Sequence, residues 1–439
     1  MAQNKKRAKS KQMPTKSQNK NILVSKPAAY EVGNELEYRI QRLQIYMGYF
    51  VRRSRPIYTV GNLDRATDLD VYALRYVEPF SCERIITECK SGGAGPLDRI
   101  FWLSGLKSYV KAKEALLVRK GTKWNIKEFA KQCQVQIIDL FRIAEIEENL
   151  KISSSDWPGL SDVEFIKNEV KGWNSTISSD QRIWELYSTL ISEIRFNDPF
   201  PALNYLLSQM RLLTKNHKEV PVDSFYRYLI SESISQLLIF LMRISETCFD
   251  LSKEDREGFI RKGLVYGSIE PRYAERILKS AYNLTKQSVM HYTNQEVEID
   301  KSLFEMPTAP GTEGILILIN GILTAYPVSL KLPQICDFLL SELFTKQYKA
   351  KGLLKKIFPH HVLAPAVELV RWYLRTLIDM QACPKYVLEA LKTELSDKND
   401  NSDLEKKIEP IVAEDKSKVT KATQIDLFDN GNKERKNNS

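Results

Sequence analysis

Near residue 156 the hydrophobic pattern of the chain changes period. Before that point, short β-rich apolar runs alternate with amphipathic stretches. From there to about residue 396, apolar residues recur at helical spacing and strand-like alternation nearly vanishes. A period near 2 specifies strands and one near 3.6 specifies helices, so one fold class cannot serve the whole chain. The pattern predicts an α/β unit followed by a separate all-α unit. A length of 439 residues suits two or three domains, and 43% hydrophobic residues are enough to give each a core. The helical part shows no repeat of fixed period, which gives a solenoid no support.

Within the first unit, Leu36, Ile40, Leu43, Met47 and Phe50 recur at steps of 4, 3, 4 and 3, one apolar stripe of a helix in which Gly48 marks the fraying end. Apolar β-rich runs follow at 49–52, 69–76 and 84–90. After them come a helix opened by Pro96 and running to about 111, a strand at 115–118, a helix at 126–133 and a strand at 135–140. The order α-β-β-β-α-β-α-β predicts a mixed sheet flanked by helices. In the second unit, helices are expected at 162–173, 179–196, 200–213, 223–250, 253–265, 272–290, 313–324, 332–348, 365–380 and 384–395. The division is therefore a basic disordered tail over 1–28, an α/β domain over 29–150, an all-helical domain over 155–396 and a polar disordered tail over 397–439.

The formal charge of +10 favours an anionic partner such as nucleic acid. Residues 1–30 hold eight Lys/Arg and no acid, and no apolar segment of a signal peptide follows them. The apolar runs 237–242 and 315–322 are too short to span a bilayer, so no membrane partner is expected. Cys82, Cys89, Cys133, Cys248, Cys336 and Cys383 form no CxxC pair and there are only four histidines, which argues against a zinc site by spacing and suits a reducing cytoplasm.

Chemistry concentrates between residues 70 and 90. The run Asp70-Val71-Tyr72-Ala73-Leu74 reads as a strand that begins on a carboxylate, and the next strand ends Ile85-Ile86-Thr87-Glu88-Cys89-Lys90. Alternation puts Glu88 and Lys90 on one face, and a hairpin sets Asp70 across from Glu88. Phosphodiester hydrolysis needs a hard cation held by carboxylate oxygens, so Asp70 and Glu88 are the candidate ligands of Mg²⁺, with Mn²⁺ a substitute. Lys90 would orient the attacking water or stabilise charge on the phosphate. Glu35, early in the first helix, is the fourth candidate catalytic residue. Asp68 shares a strand face with Asp70, so either can be the principal ligand. Lys107, Lys111 and Lys113 are candidate phosphate contacts on DNA.

A helix Glu, a strand Asp and then Glu-x-Lys resemble the PD-(D/E)XK nuclease superfamily, most of all its restriction-endonuclease-like and Mrr-like branches. The resemblance covers about residues 30–145. It implies a restriction-endonuclease-like fold and Mg²⁺-dependent cleavage of DNA by Glu35, Asp70, Glu88 and Lys90, in repair, restriction or defence. A nuclease fold that only binds nucleic acid, as an adaptor, is the alternative. In the polar C-terminal tail, Gln424-Ile425-Asp426-Leu427-Phe428 is similar to the bacterial sliding-clamp-binding pentapeptide, with Ile in place of Leu at its second position. Leu427 and Phe428 supply adjacent apolar anchors and Gln424 an edge hydrogen bond. The resemblance implies the clamp as partner and a cytoplasmic, nucleoid-associated location. The oligomeric state and the role of the helical part stay open.

Overall fold

A computed structural model describes residues 29–395 except 59–64, 91–94, 153–156, 158–160, 162–167, 170–171, 174–175, 178–179, 193–197, 268–270, 296–297, 301–308 and 346–349. The clamp-like motif at 424–428 and both tails lie outside the described residues. Helix α1 (Ala29–Tyr46) buries Leu36, Ile40 and Leu43. Gly48, at φ +91°, turns the chain into β1 (Phe50–Tyr58). The stripe expected to run on to Phe50 is therefore cut, with Met47 exposed and Phe50 in the strand. A residue without Cβ takes the left-handed conformation at little steric cost and so ends the helix there.

Strands β2 (Arg65–Val77) and β3 (Ser81–Lys90) complete an antiparallel meander with β1. Helices α2 (Pro96–Tyr109) and α3 (Trp124–Gln132) then carry the chain across to β4 (Glu114–Arg119) and β5 (Gln136–Asp139), both parallel to β3. The sheet order is β1-β2-β3-β4-β5, a mixed sheet flanked by helices. Parallel pairing places the strand ends Lys90, Arg119 and Asp139 side by side on one edge. Helix α4 (Leu140–Asn149), which the pattern did not reveal, leaves from that edge.

The rest of the described chain is mostly helical: α5 (Gln181–Ile191), α6 (Pro199–Asn216), α7 (Ser224–Cys248), α8 (Lys253–Tyr266), α9 (Pro271–Thr293), α10 (Thr312–Thr324), α11 (Leu332–Thr345), α12 (Ala350–Ile357), α13 (His360–Asp379) and α14 (Lys385–Leu395). Helix α12 was not foreseen, and α13 starts ahead of Pro365, which lies inside it rather than in its first turn. The apolar run 237–242 lies within α7, a helix long and apolar enough to cross a membrane by length and composition alone, and 94% of its most apolar window is buried within the protein. It packs against α6 and α11 and reaches the sheet.

The helical part shares one continuous core with the sheet. Phe80, after β2, stacks on Phe249 at 5.4 Å, and Phe249 meets Tyr326 at 5.3 Å. Polar ties cross the same boundary. Arg52 and Arg55 of β1 both bond Glu232 of α7, and Arg52 also bonds Asp337 of α11. Ser54, at φ +51°, lies between these arginines. Arg52 and Arg55 reach Glu232, while Arg53 and Ser54 approach Glu37.

Candidate active site

The β2–β3 ladder ends at the pair Val71↔Thr87. One residue beyond it, the Asp70 carboxylate accepts the backbone N–H of Cys89 at 2.7 Å, so a side chain holds the two strands where the pairing stops. Thr87 points to α1, where Gln44 donates to its hydroxyl at 3.0 Å. Alternation sends Glu88 and Lys90 the other way, toward α2. There Lys90 Nζ lies 2.6 Å from Glu88 Oε1 and 3.8 Å from Asp70 Oδ2, and Arg99 in the first turn of α2 comes within 3.6 Å of the same Glu88 oxygen. The strand thus gathers Asp70, Glu88 and Lys90 around one point.

The charges of this group are tuned by burial. Glu88 is only 3% exposed. Burial and the charge of Asp70 raise its pKa above the ordinary carboxylate value, against the pull of Lys90 and Arg99. Burial alone would lower the pKa of Lys90, but Glu88 and Asp70 outweigh it and raise the value. Lys90 therefore stays a cation at neutral pH, suited to stabilising negative charge and unsuited to acting as a base.

The structure does not bring Glu35 to this group. Its side chain is exposed, and its charge acts on Arg39 one turn along. The carboxylate that α1 sends toward the site is Glu37, two residues on. Residues two apart on a helix lie about 200° apart, so one faces water when the other faces the sheet. Glu37 accepts from Arg53 at 3.5 Å and Ser54 at 3.4 Å, on the α1 side of the sheet. It heads a polar stripe with Gln41, which accepts from Arg53 at 3.0 Å, and Gln44. Steps of 4 and 3 made that stripe visible in the sequence.

Burial first and the nearby Asp70 charge second push the Glu37 carboxyl up to about 7, against the pull of Arg53, Ser54 and Lys90. A raised carboxyl keeps its proton in the folded state between the unfolded value of 4.5 and about 7, so this group makes stability fall over that window as pH rises. Glu37→Gln removes the penalty. In chelator, the variant should be about 1–2 kcal/mol more stable than wild type at pH 8, once partial exposure is allowed for, and equal to it at pH 4. Denaturant unfolding at both pH values checks this, and an equal difference at both would show that Glu37 does not titrate as described.

The candidate phosphate contacts lie elsewhere. Lys107, near the end of α2, donates to Gln134 Oε1 at 3.0 Å. Lys113 pairs with Glu83. Lys111 is exposed in the turn between α2 and β4. A parallel crossover returns the chain to the start of β3, and the Lys113 N–H binds the Arg84 carbonyl there, at the end opposite Lys90. Arg99 is the cation that α2 supplies to the site, and its place in the first turn after the Glu-x-Lys strand was the signal for it. Asp68 pairs with Arg65.

Among the described residues no three His, Cys, Asp or Glu side chains converge closely enough to hold a metal ion. The donors present are the carboxylates of Asp70 and Glu88, hard oxygens drawn to one ammonium. Mg²⁺ is usually held by one or two carboxylates completed by waters and substrate phosphates, so this donor set fits it. Comparison with protein-family models, curated proteins and solved structures finds no match for this chain.

Proposed function

We propose that the protein is a metal-dependent DNA nuclease of the PD-(D/E)XK type, in which Asp70 and Glu88 hold Mg²⁺ or Mn²⁺. The observation that carries this reading is Lys90 Nζ within 3.8 Å of both carboxylates at the carboxyl end of β3. When bound, the metal polarises the phosphate and makes a water nucleophilic near neutral pH. The chain supplies the rest. The Cys89 N–H fixes the Asp70 carboxylate, burial keeps Glu88 poorly solvated and ready for a cation, and Lys90 offers its charge to the phosphate. Arg99 neutralises Glu88 in the absence of substrate and is placed to contact a phosphate in its presence. The motif Gln424-Ile425-Asp426-Leu427-Phe428 would tether this activity to a bacterial sliding clamp, through effective concentration more than affinity.

Incubating the full chain with single-stranded, duplex, nicked and forked DNA, with and without Mg²⁺ or Mn²⁺, tests the reading. Cleavage that requires metal and stops with chelator is expected. No cleavage of any substrate would leave a DNA-binding adaptor in its place.

A further inference from the structure

Strands β3, β4 and β5 end side by side at Lys90, Arg119 and Asp139, and each is followed along the chain by a helix, α2, α3 and α4 in turn. The first two turns of those helices carry Phe101, Trp124 and Phe141, which are 60%, 74% and 75% exposed. No other described aromatic between residues 29 and 150 is as exposed, and Leu97 lies open beside them. Phe101 meets Phe129 of α3 edge to face at 5.4 Å, which joins the surfaces of α2 and α3. Cations lie near these rings. Arg99, two residues from Phe101 and so on the other side of α2, faces Glu88, and the loop from β4 to α3 that precedes Trp124 holds exposed Lys120 and Lys123 and no acid.

Leaving three large aromatic faces in water forgoes burial that normally favours the interior. Placed singly they would mean little. Set in the opening turns of the helices that follow one sheet edge, with cations near them and the proposed catalytic group at the same edge, they match the surface that holds single-stranded nucleic acid: cations track the backbone and flat rings stack on bases. A duplex hides its base faces inside the stack and has no use for such a surface. Resting on the nuclease reading, we propose that the site takes DNA with unpaired bases, a single strand or the single-stranded part of a fork or end. Phe101, Trp124 and Phe141 act as stacking platforms and Arg99, Lys120 and Lys123 as phosphate contacts.

The test uses the full chain in chelator, where nothing is cut, with a thymine oligonucleotide and a blunt duplex of matched length as probes. The single strand is expected to bind more tightly and to quench tryptophan fluorescence. Trp124→Ala should lose most of that quench and weaken single-strand binding on the order of tenfold, while Trp124→Phe keeps most of the affinity. The Phe101→Ala/Trp124→Ala/Phe141→Ala variant should weaken it further, with an unchanged thermal melt. Duplex bound as tightly as the single strand, or a triple variant that binds the single strand like wild type, would overturn the proposal. So would a wild-type dimer that the triple variant dissolves, since the row would then be a protein interface. Stacking without cleavage when metal is restored would sink the nuclease reading and leave this one standing. Cleavage indifferent to Trp124 would do the reverse.

Discussion

Lys90→Ala is expected to slow metal-dependent cleavage by roughly 10²–10³-fold at saturating metal, the usual loss when one charge-stabilising group is removed from a phosphoryl or acyl transfer site. Glu88→Gln should act differently. It keeps the shape of a side chain only 3% exposed but removes the charge that gathers Lys90 and Arg99, and with it one of the two proposed metal ligands. Its rate should fall at least as far, and its dependence on Mg²⁺ should move to higher concentration, a shift that Lys90→Ala does not share. Single-turnover rates across a metal titration separate the two effects, and thermal melts of both variants keep folding apart from catalysis. Glu88→Gln cutting at the wild-type rate and metal concentration would remove Asp70, Glu88 and Lys90 from the chemistry altogether.

The same residues show what the sequence makes legible. Asp70, Glu88 and Lys90 were readable because a hairpin with a tight turn fixes its own register, and alternation then decides which side chains share a face. The stripe Leu36, Ile40 and Leu43 says which side of α1 is apolar, but not which polar neighbour borders the sheet, so it does not separate the exposed Glu35 from Glu37. Glu37-x-x-x-Gln41-x-x-Gln44 was the better guide, because a polar stripe beside the core needs partners, and Arg53, Ser54 and Thr87 provide them. Lys111 and Lys113 follow α2 in sequence, but a parallel crossover carries the chain back to the far end of β3, a placement that nearness along the chain does not reveal. The exposed aromatics Phe101, Trp124 and Phe141 are distant in sequence, and only the parallel order of β3, β4 and β5 brings the helices that carry them to one edge of the sheet.

No local pattern announces the contact between Arg52, Arg55 and Glu232 either, yet its loss should have the largest effect on stability. Glu232 is 2% exposed and accepts from Arg52 at 2.7 Å and Arg55 at 2.6 Å, while Arg52 also reaches Asp337 at 2.5 Å. The cluster balances two guanidinium charges against two carboxylates. Glu232→Ala leaves both arginines with Asp337 as the remaining carboxylate of the cluster, and uncompensated buried charge costs about 3–5 kcal/mol. Burial by itself would raise the Glu232 carboxyl, but Arg52 and Arg55 overcome it and hold the value at about 2, against 4.5 unfolded. A depressed carboxyl stabilises the fold above the unfolded value and loses that contribution as pH falls through the folded one. Wild-type stability should therefore drop between pH 4.5 and 2 by on the order of 3 kcal/mol from this group, and Glu232→Ala should lack that component. Urea unfolding at pH 7, 4.5 and 3 measures both. A variant within 1 kcal/mol of wild type at pH 7, by the same reasoning, would mean that the cluster opens to water. Because these bonds join β1 to α7 and α11, the loss should be seen by probes in the sheet and in the helices alike.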